Sequence, residues 1–294
     1  MKIDFTKAVA SGNDFIIINN NRPHLAGVGG PGGVDFGDLA QFICKRKYSV
    51  GADGLLVLEE SSKADFKMRI FNPDGSEVTM CGNGIRCSAL YAYTKKWCAS
   101  PMKIETLAGT LEASVSPALS DSEKFSGTRK GGVSGDSIRL KMTDPKDIKL
   151  NQNIGVGKTV VNFHAVDTGV PHAVHFVEDI TKYPVKAMGA KIRYHKVFEP
   201  EGTNADFVEV QGKSNIAVRT YERGVEDETL ACGTGVVASA IISHLTDKVE
   251  QPVSVLTESK EILKVYFKKE ISGFKDVYLE GKAAIVFEGG LEYV

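Results

Sequence analysis

Along most of the chain, apolar positions come in short runs rich in Val, Ile and Phe, broken by polar and small residues. The opening "MKIDFTKAVASGNDFIIINN" (1–20) alternates charged and apolar positions, the period-two pattern of a strand with one face in water. Two stretches change the rhythm to a helical one. Ile85, Ala89, Leu90 and Ala92 fall at roughly helical spacing, and so do Val236, Val237, Ala240 and Ile241. Both stretches are apolar nearly all round, which predicts helices buried in the middle of their domains. "LAQFICKRK" (39–47) is also helix-like. Two punctuating segments stand out. "AGVGGPGGVDFGD" (26–38) holds too much glycine and proline for a regular element and is expected to be a surface loop. "SPALSDSEKFSGTRKGGVSGDS" (116–137) is small and polar, the best candidate for an interdomain connection.

The grammar on either side of that connection repeats block by block. "AVASGNDFIIIN" (8–19) aligns with "AVDTGVPHAVHF" (165–176), and "ADGLLVLE" (52–59) with "ADFVEVQG" (205–212). "RIFNPDGSEVTMCGNG" (69–84) aligns with "RTYERGVEDETLACGTG" (219–235), which has one extra residue. Within that pair Arg69 matches Arg219, Phe71 matches Tyr221, Asn72 matches Glu222, Glu77 matches Glu228 and Cys81 matches Cys232. The order of the blocks implies an internal duplication: two similar α/β domains related by a pseudo-twofold axis, with equivalent turns facing each other across a cleft. The expected boundaries are 1–130 and 131–282, with the terminal strand at about 283–294 packing back on the first domain.

Composition narrows the setting. A chain of 294 residues can bury two cores, and 42% hydrophobic with 25% charged residues is ordinary for a soluble globular protein. A formal net charge of −1 offers no broad attraction to nucleic acid or acidic membranes. No apolar run approaches the roughly 20 residues of a membrane span, and the N-terminus lacks the apolar block of a signal peptide. The five cysteines (44, 81, 87, 98 and 232) have no framework spacing and suit a reducing cytoplasm. No zinc-type pairing of cysteines is present, so no metal is expected.

Two of those cysteines stand directly before Gly-X-Gly and a buried helix. At a helix N-terminus unpaired backbone N–H groups and the positive end of the helix dipole converge. The expectation is a thiol pKa pushed down toward working pH, and an anion site at the N–H groups of Gly82, Asn83, Gly233 and Thr234. Two such half-sites could hold one molecule between a thiolate that removes a proton and a thiol that supplies one to the opposite face. Fixed N–H groups would stabilise the charge that develops next to a carboxylate. That is stereoinversion at carbon. With no phosphate loop, no GxGxxG and no sign of pyridoxal phosphate, the reading needs no cofactor.

At "MCGNGIRC", "ACGTG", "SGNDF", "FNPDGSE" and "YERG" the sequence strongly resembles the diaminopimelate epimerase family, and the match runs over almost the whole chain. The resemblance implies two mostly antiparallel, barrel-like sheets, each wrapped around a central helix. It also implies conversion of L,L- to meso-diaminopimelate for lysine and peptidoglycan synthesis, and makes a homodimer plausible. Cys81 would be the base toward the L,L substrate and Cys232 the acid. Asn13, Asn72 and Asn204 match the family's substrate-contacting asparagines, and Gly82-Asn83 and Gly233-Thr234 its helix-end clamps. Glu222 and Arg223 would meet the distal amino and carboxylate groups, with His172 and Glu222 tuning the thiols. The related proline racemases typically follow their first cysteine with Gly-His, whereas Cys81 is followed by Gly82-Asn83. Two positions depart from the family: Val170 stands where many members have asparagine, and Gly54 where some have glutamine.

Three other readings stay open. Another amino-acid racemase or epimerase on the same scaffold draws support from Val170. A dithiol redox protein would use Cys81 and Cys232 but leaves Asn13, Asn72, Glu222 and Arg223 without a purpose. A plain amino-acid-binding module leaves the paired cysteines without one.

Overall fold

The computed structural model describes residues 2–21, 35–117, 135–157, 159–271 and 273–293. Residues 26–34 of the Gly-rich stretch and 118–134 of the expected connection lie outside the described residues. The chain forms two compact units. The described parts of Met1–Arg129, Val133–Leu140 and Gly281–Val294 make one, and those of Lys141–Glu280 the other.

In order, the first unit holds β1 (Lys2–Ala10), β2 (Asn13–Asn19), α1 (Phe36–Ile43), β3 (Gly54–Glu59), β4 (Phe66–Phe71), β5 (Glu77–Val78), α2 (Gly82–Thr94), β6 (Met102–Thr106), β7 (Gly109–Ser116) and β8 (Asp136–Lys141). The second holds β9 (Lys146–Val156), β10 (Thr159–Asp167), β11 (Pro171–Phe176), α3 (Val185–Arg193), β12 (Asn204–Gly212), β13 (Asn215–Glu222), β14 (Asp227–Thr229), α4 (Gly233–Leu245), β15 (Val253–Leu256) and β16 (Ile262–Glu270). The long strand β17 (Gly273–Glu292) serves both: Gly273 to Glu280 pair with β16, and Ala284 to Glu292 pair with β1.

Both units run through the same sequence of pairings. From β1 to β2, β3, β4, β6, β7 and β8 the steps are antiparallel, parallel, antiparallel, parallel, antiparallel and antiparallel. From β10 to β11, β12, β13, β15, β16 and β17 they are the same six steps. In the first unit β8 pairs with β17 and β17 with β1, which closes the sheet into a barrel. The parallel steps need crossovers, and helices supply them: α1 and α3 at the first, α2 and α4 at the second.

Burial explains which sequences sit where. Residues Phe15 to Ile18 of β2 and Leu55 to Leu58 of β3 are buried without alternation, because both faces are covered. On one side Phe36, Leu39, Ala40 and Ile43 of α1 cluster with Ile16, Ile18, Leu55 and Val57. The other side meets α2, which packs against β1, β2, β3, β4, β6 and β7. Helix α2 is buried from Asn83 to Ala92 without a break, and α4 from Gly235 to Ser243. Each Val or Ile side chain on α4 contributes about 1.5–3 kcal/mol by leaving water.

Three sequence expectations need adjustment. Helix α1 stops at Ile43 instead of reaching Lys47, whose φ of 71° lies outside the helical region. Helix α3 has no counterpart in the hydrophobic pattern, since Val185 and Ile192 are its only large buried residues. Finally, Leu55 pairs with Phe71 and Ala205 with Tyr221, so "GLLVLE" (54–59) corresponds to "NADFVE" (204–209). The alignment on the shared Ala-Asp dipeptides is three residues out of register.

Candidate active site

Each unit delivers one cysteine to the head of its buried helix by the same construction. In the first, β4 and β5 form a hairpin that Arg69 braces by two bonds to Glu77, at 2.7 and 2.9 Å. In the second, Arg219 braces β13 and β14 through Glu228 at 2.5 and 2.8 Å. The chain then turns into the helix. Cys81 and Cys232 are the N-caps, both with extended backbone (φ −147° and −108°). Neither side chain caps its helix. The first helical bonds run from Ile85 N–H to the Cys81 carbonyl and from Val236 N–H to the Cys232 carbonyl, each at 2.9 Å. The N–H groups between them have no intrahelical acceptor, which leaves them for other partners.

In the first unit, polar side chains line up behind this turn. Arg86 is fully buried, and its Nη2 donates to Asn83 Oδ1 at 2.7 Å and to the Ser11 hydroxyl at 2.6 Å. Asn83 Nδ2 donates to Asn13 Oδ1 at 2.5 Å, and Asn13 Nδ2 to Asp53 Oδ2 at 3.3 Å. A donor-only cation at one end and an acceptor-only carboxylate at the other fix the orientation of both amides. Asp53 is held in turn by Arg46, which also binds Asp14. Asn72 is occupied locally: its Nδ2 donates to the Ser76 hydroxyl at 3.0 Å, inside the turn of the β4–β5 hairpin. A Cβ on Gly82 would meet nothing among the described residues within 4 Å, so internal packing does not explain this glycine.

The second unit surrounds Cys232 differently. The thiol is buried, with Thr234 Oγ1 3.4 Å from Sγ. Burial pushes its pKa well above the ordinary thiol value, and the negative charges of Glu222 and Asp206 push the same way. The Thr234 hydroxyl and the Gly235 N–H oppose the rise without cancelling it. This corrects the expectation of a depressed thiol: at Cys232 dehydration and two carboxylates outweigh the helix end. Glu222 is itself raised, chiefly by burial. The nearby Thr229 and His172 work against the rise, while Asp206 adds to it. His172 is buried with its Nδ1 2.7 Å from Asp206 Oδ2. Asn204 Oδ1 accepts from the Arg223 N–H at 2.8 Å. The Arg223 side chain makes a long contact of 3.3 Å to the Glu201 carbonyl. A Cβ on Gly235 would lie 2.4 Å from Asp206 Oδ1, so this glycine is required by packing.

The second unit thus brings Cys232, Thr234, Glu222, His172 and Asn204 into one neighbourhood, and the first brings Asn83 and Asn13 together at the helix that Cys81 caps. Sequence reasoning missed two residues. Arg86 stands within a helix expected to be apolar nearly all round, and its Nη2 binds Ser11 and Asn83. Asp206 was visible only as half of an Ala-Asp dipeptide.

Two units of one topology, each placing a cysteine at the head of a buried helix, are the framework of an amino-acid epimerase. The fold is that of a hydroxyproline epimerase from Agrobacterium vitis solved with bound trans-4-hydroxy-L-proline (TM-score 0.64, 15% identity, 99% of this chain and 92% of that one). It is equally that of a Bacillus anthracis phenazine biosynthesis protein of the PhzF family (TM-score 0.69, 16% identity, 100% of both chains). Residues 5–125 and 164–286 match the diaminopimelate epimerase family. The diaminopimelate epimerase of Aquifex aeolicus is 39% identical over 292 residues, 98% of each chain. That of Caldanaerobacter subterraneus is 38% identical over 291 residues, covering 98% of this chain and 99% of the relative. The chain belongs to the diaminopimelate epimerase family.

Proposed function

We propose that the chain interconverts L,L- and meso-diaminopimelate by a two-base mechanism, with Cys81 and Cys232 acting from opposite faces of one α-carbon. The observation that carries this reading is the repeated N-cap cysteine: each unit presents a thiol beside N–H groups that its helix does not use. Family membership supplies the substrate. In the L,L direction Cys81, as thiolate, takes the α-proton while Cys232, as thiol, supplies one from the other side; the meso direction reverses the roles. The raised pKa of Cys232 suits it to hold the proton at the start of the L,L direction. Charge developing on the α-carboxylate is met by the helix-end N–H groups of Gly82, Asn83, Gly233 and Thr234. Asn13, Asn72, Asn204, Glu222 and Arg223 grip the substrate, and His172 and Glu222 set the proton balance of the thiols. The reaction needs no cofactor, and the enzyme works in the cytoplasm as a homodimer in lysine and peptidoglycan synthesis. Among the described residues no helix is long and apolar enough to cross a membrane.

The test is α-proton exchange in D2O followed by NMR under reducing conditions, with L,L- and meso-diaminopimelate, L-proline and L-glutamate. Exchange with inversion confined to diaminopimelate is expected. Exchange confined to another amino acid would keep the two thiols and discard the substrate, and silence with all four would overturn the reading.

A further inference from the structure

Asp206 is fully buried in the second unit, and the reaction scheme above gives it no part. Both of its oxygens are engaged. Oδ1 accepts from the Thr220 hydroxyl at 2.7 Å, and Oδ2 lies 2.7 Å from Nδ1 of His172. The backbone makes room for this carboxylate, as the clash of a Cβ on Gly235 with Oδ1 shows. At the far side of the imidazole, Nε2 lies 3.5 Å from Nδ2 of Asn204.

Which group faces Nε2 depends on which way round the Asn204 amide sits, and two backbone groups decide that. Nδ2 donates to the Pro171 carbonyl at 3.2 Å, and Oδ1 accepts from the Arg223 N–H at 2.8 Å. The reversed amide would set oxygen against oxygen and N–H against N–H. An amide N–H group therefore stands beside Nε2. A hydrogen on Nε2 as well would set two donors against each other, so Nε2 carries a lone pair. The ring hydrogen is then on Nδ1, donated to Asp206.

We propose that Asp206 is a positioning residue which, together with Asn204, holds His172 as the Nδ1–H tautomer with the Nε2 lone pair as its proton-accepting end. A carboxylate that served packing alone would leave the tautomer undetermined. The importance of this lock for epimerisation rests on the proposed function; the lock itself does not.

Nitrogen-15 NMR of histidine-labelled enzyme near neutral pH, without substrate, reads the tautomer directly. His172 should show a proton-bearing Nδ1 and a lone-pair Nε2; a proton on Nε2 would overturn the proposal. In Asp206→Asn the side chain can donate as well as accept, so the ring nitrogens should move toward the average of two forms. With fold checked by circular dichroism and Tm, kcat should fall about 10-fold or more while KM stays within about 2-fold. An Asp206→Asn enzyme with unchanged nitrogen shifts and unchanged kcat would sink the idea. Asn204→Asp replaces the facing donor by an acceptor and should draw a proton onto Nε2; an Nε2 that keeps its lone pair there would count against the lock. The Nδ1–H form in a protein that fails to exchange diaminopimelate would sink the functional reading and leave the lock standing.

Discussion

Cys232 carries its proton well past the pH at which an exposed thiol would lose it, because burial and two carboxylates disfavour the thiolate. A two-base epimerase works in the form where the thiol pair shares one proton, so kcat/KM should be bell-shaped in pH. Loss of that last proton sets the alkaline limb. The limb should therefore lie above the ordinary thiol value of about 8.5, and it should be the same for the L,L and meso directions. A profile measured from both substrates checks this; an alkaline limb near or below the ordinary value would contradict the raised Cys232. Cys81→Ser and Cys232→Ser should each keep the fold and lose inversion by roughly 10²–10⁴-fold, since serine is too weak an acid for either role. Retained activity in either variant would remove the two-base scheme. At this scale the cysteines were legible, since each stands before Gly-X-Gly in a repeated block. Their electrostatics were not: the helix end is written next to Cys232 in the chain, whereas the opposing charges come from Glu222 and Asp206 on other strands. Arg86 was hidden for the same reason, its partner Ser11 being 75 residues away.

At the scale of elements, the hairpins that lead into the two helices are the same device at different depths. Arg69 and Glu77 each keep 26% of their side-chain surface exposed, while Glu228 keeps 10% and Arg219 19%. Arg219 also donates to the Ile180 carbonyl at 2.7 Å and reaches Glu258 at 3.4 Å. Glu77→Gln should therefore cost about 0–1 kcal/mol, and Glu228→Gln about 1–3 kcal/mol, by urea unfolding. Equal costs would mean that the deeper pair adds nothing through its burial. These braces were present in the sequence alignment as matched Arg and Glu positions, and the structure gives them their partners. The strand before them was misplaced, because Ala-Asp occurs by chance in both halves at sites that do not correspond. Strand register follows hydrogen bonding to a neighbour, and the pairing of Leu55 with Phe71 and of Ala205 with Tyr221 outranks a local identity. The corrected register sets Gly54 at the counterpart of Asn204.

For the whole molecule, buried thiols tie stability to pH. Burial pushes Cys44 up to about 12, whereas in an unfolded chain it would ionise at about 8.5. Between those values the unfolded chain has released a proton that the folded one keeps, so unfolding free energy falls as pH rises, by up to about 1.4 kcal/mol per pH unit. Urea midpoints from about pH 8 to about pH 10 should drift downward, and Cys44→Ala should flatten the drift; an identical slope would assign the loss elsewhere. The doubled architecture was legible as repeated blocks. The closure of the first barrel was not, because the decisive pairings, β8 with β17 and β17 with β1, join segments far apart in the chain. That long strand has a consequence for synthesis. A ribosome delivers β17 after every other described strand, and each unit takes a part of it. Neither unit can therefore complete its sheet until β17 has been made. The usual order, in which an N-terminal domain completes its fold before its successor emerges, gives way to one in which both units wait for the same strand.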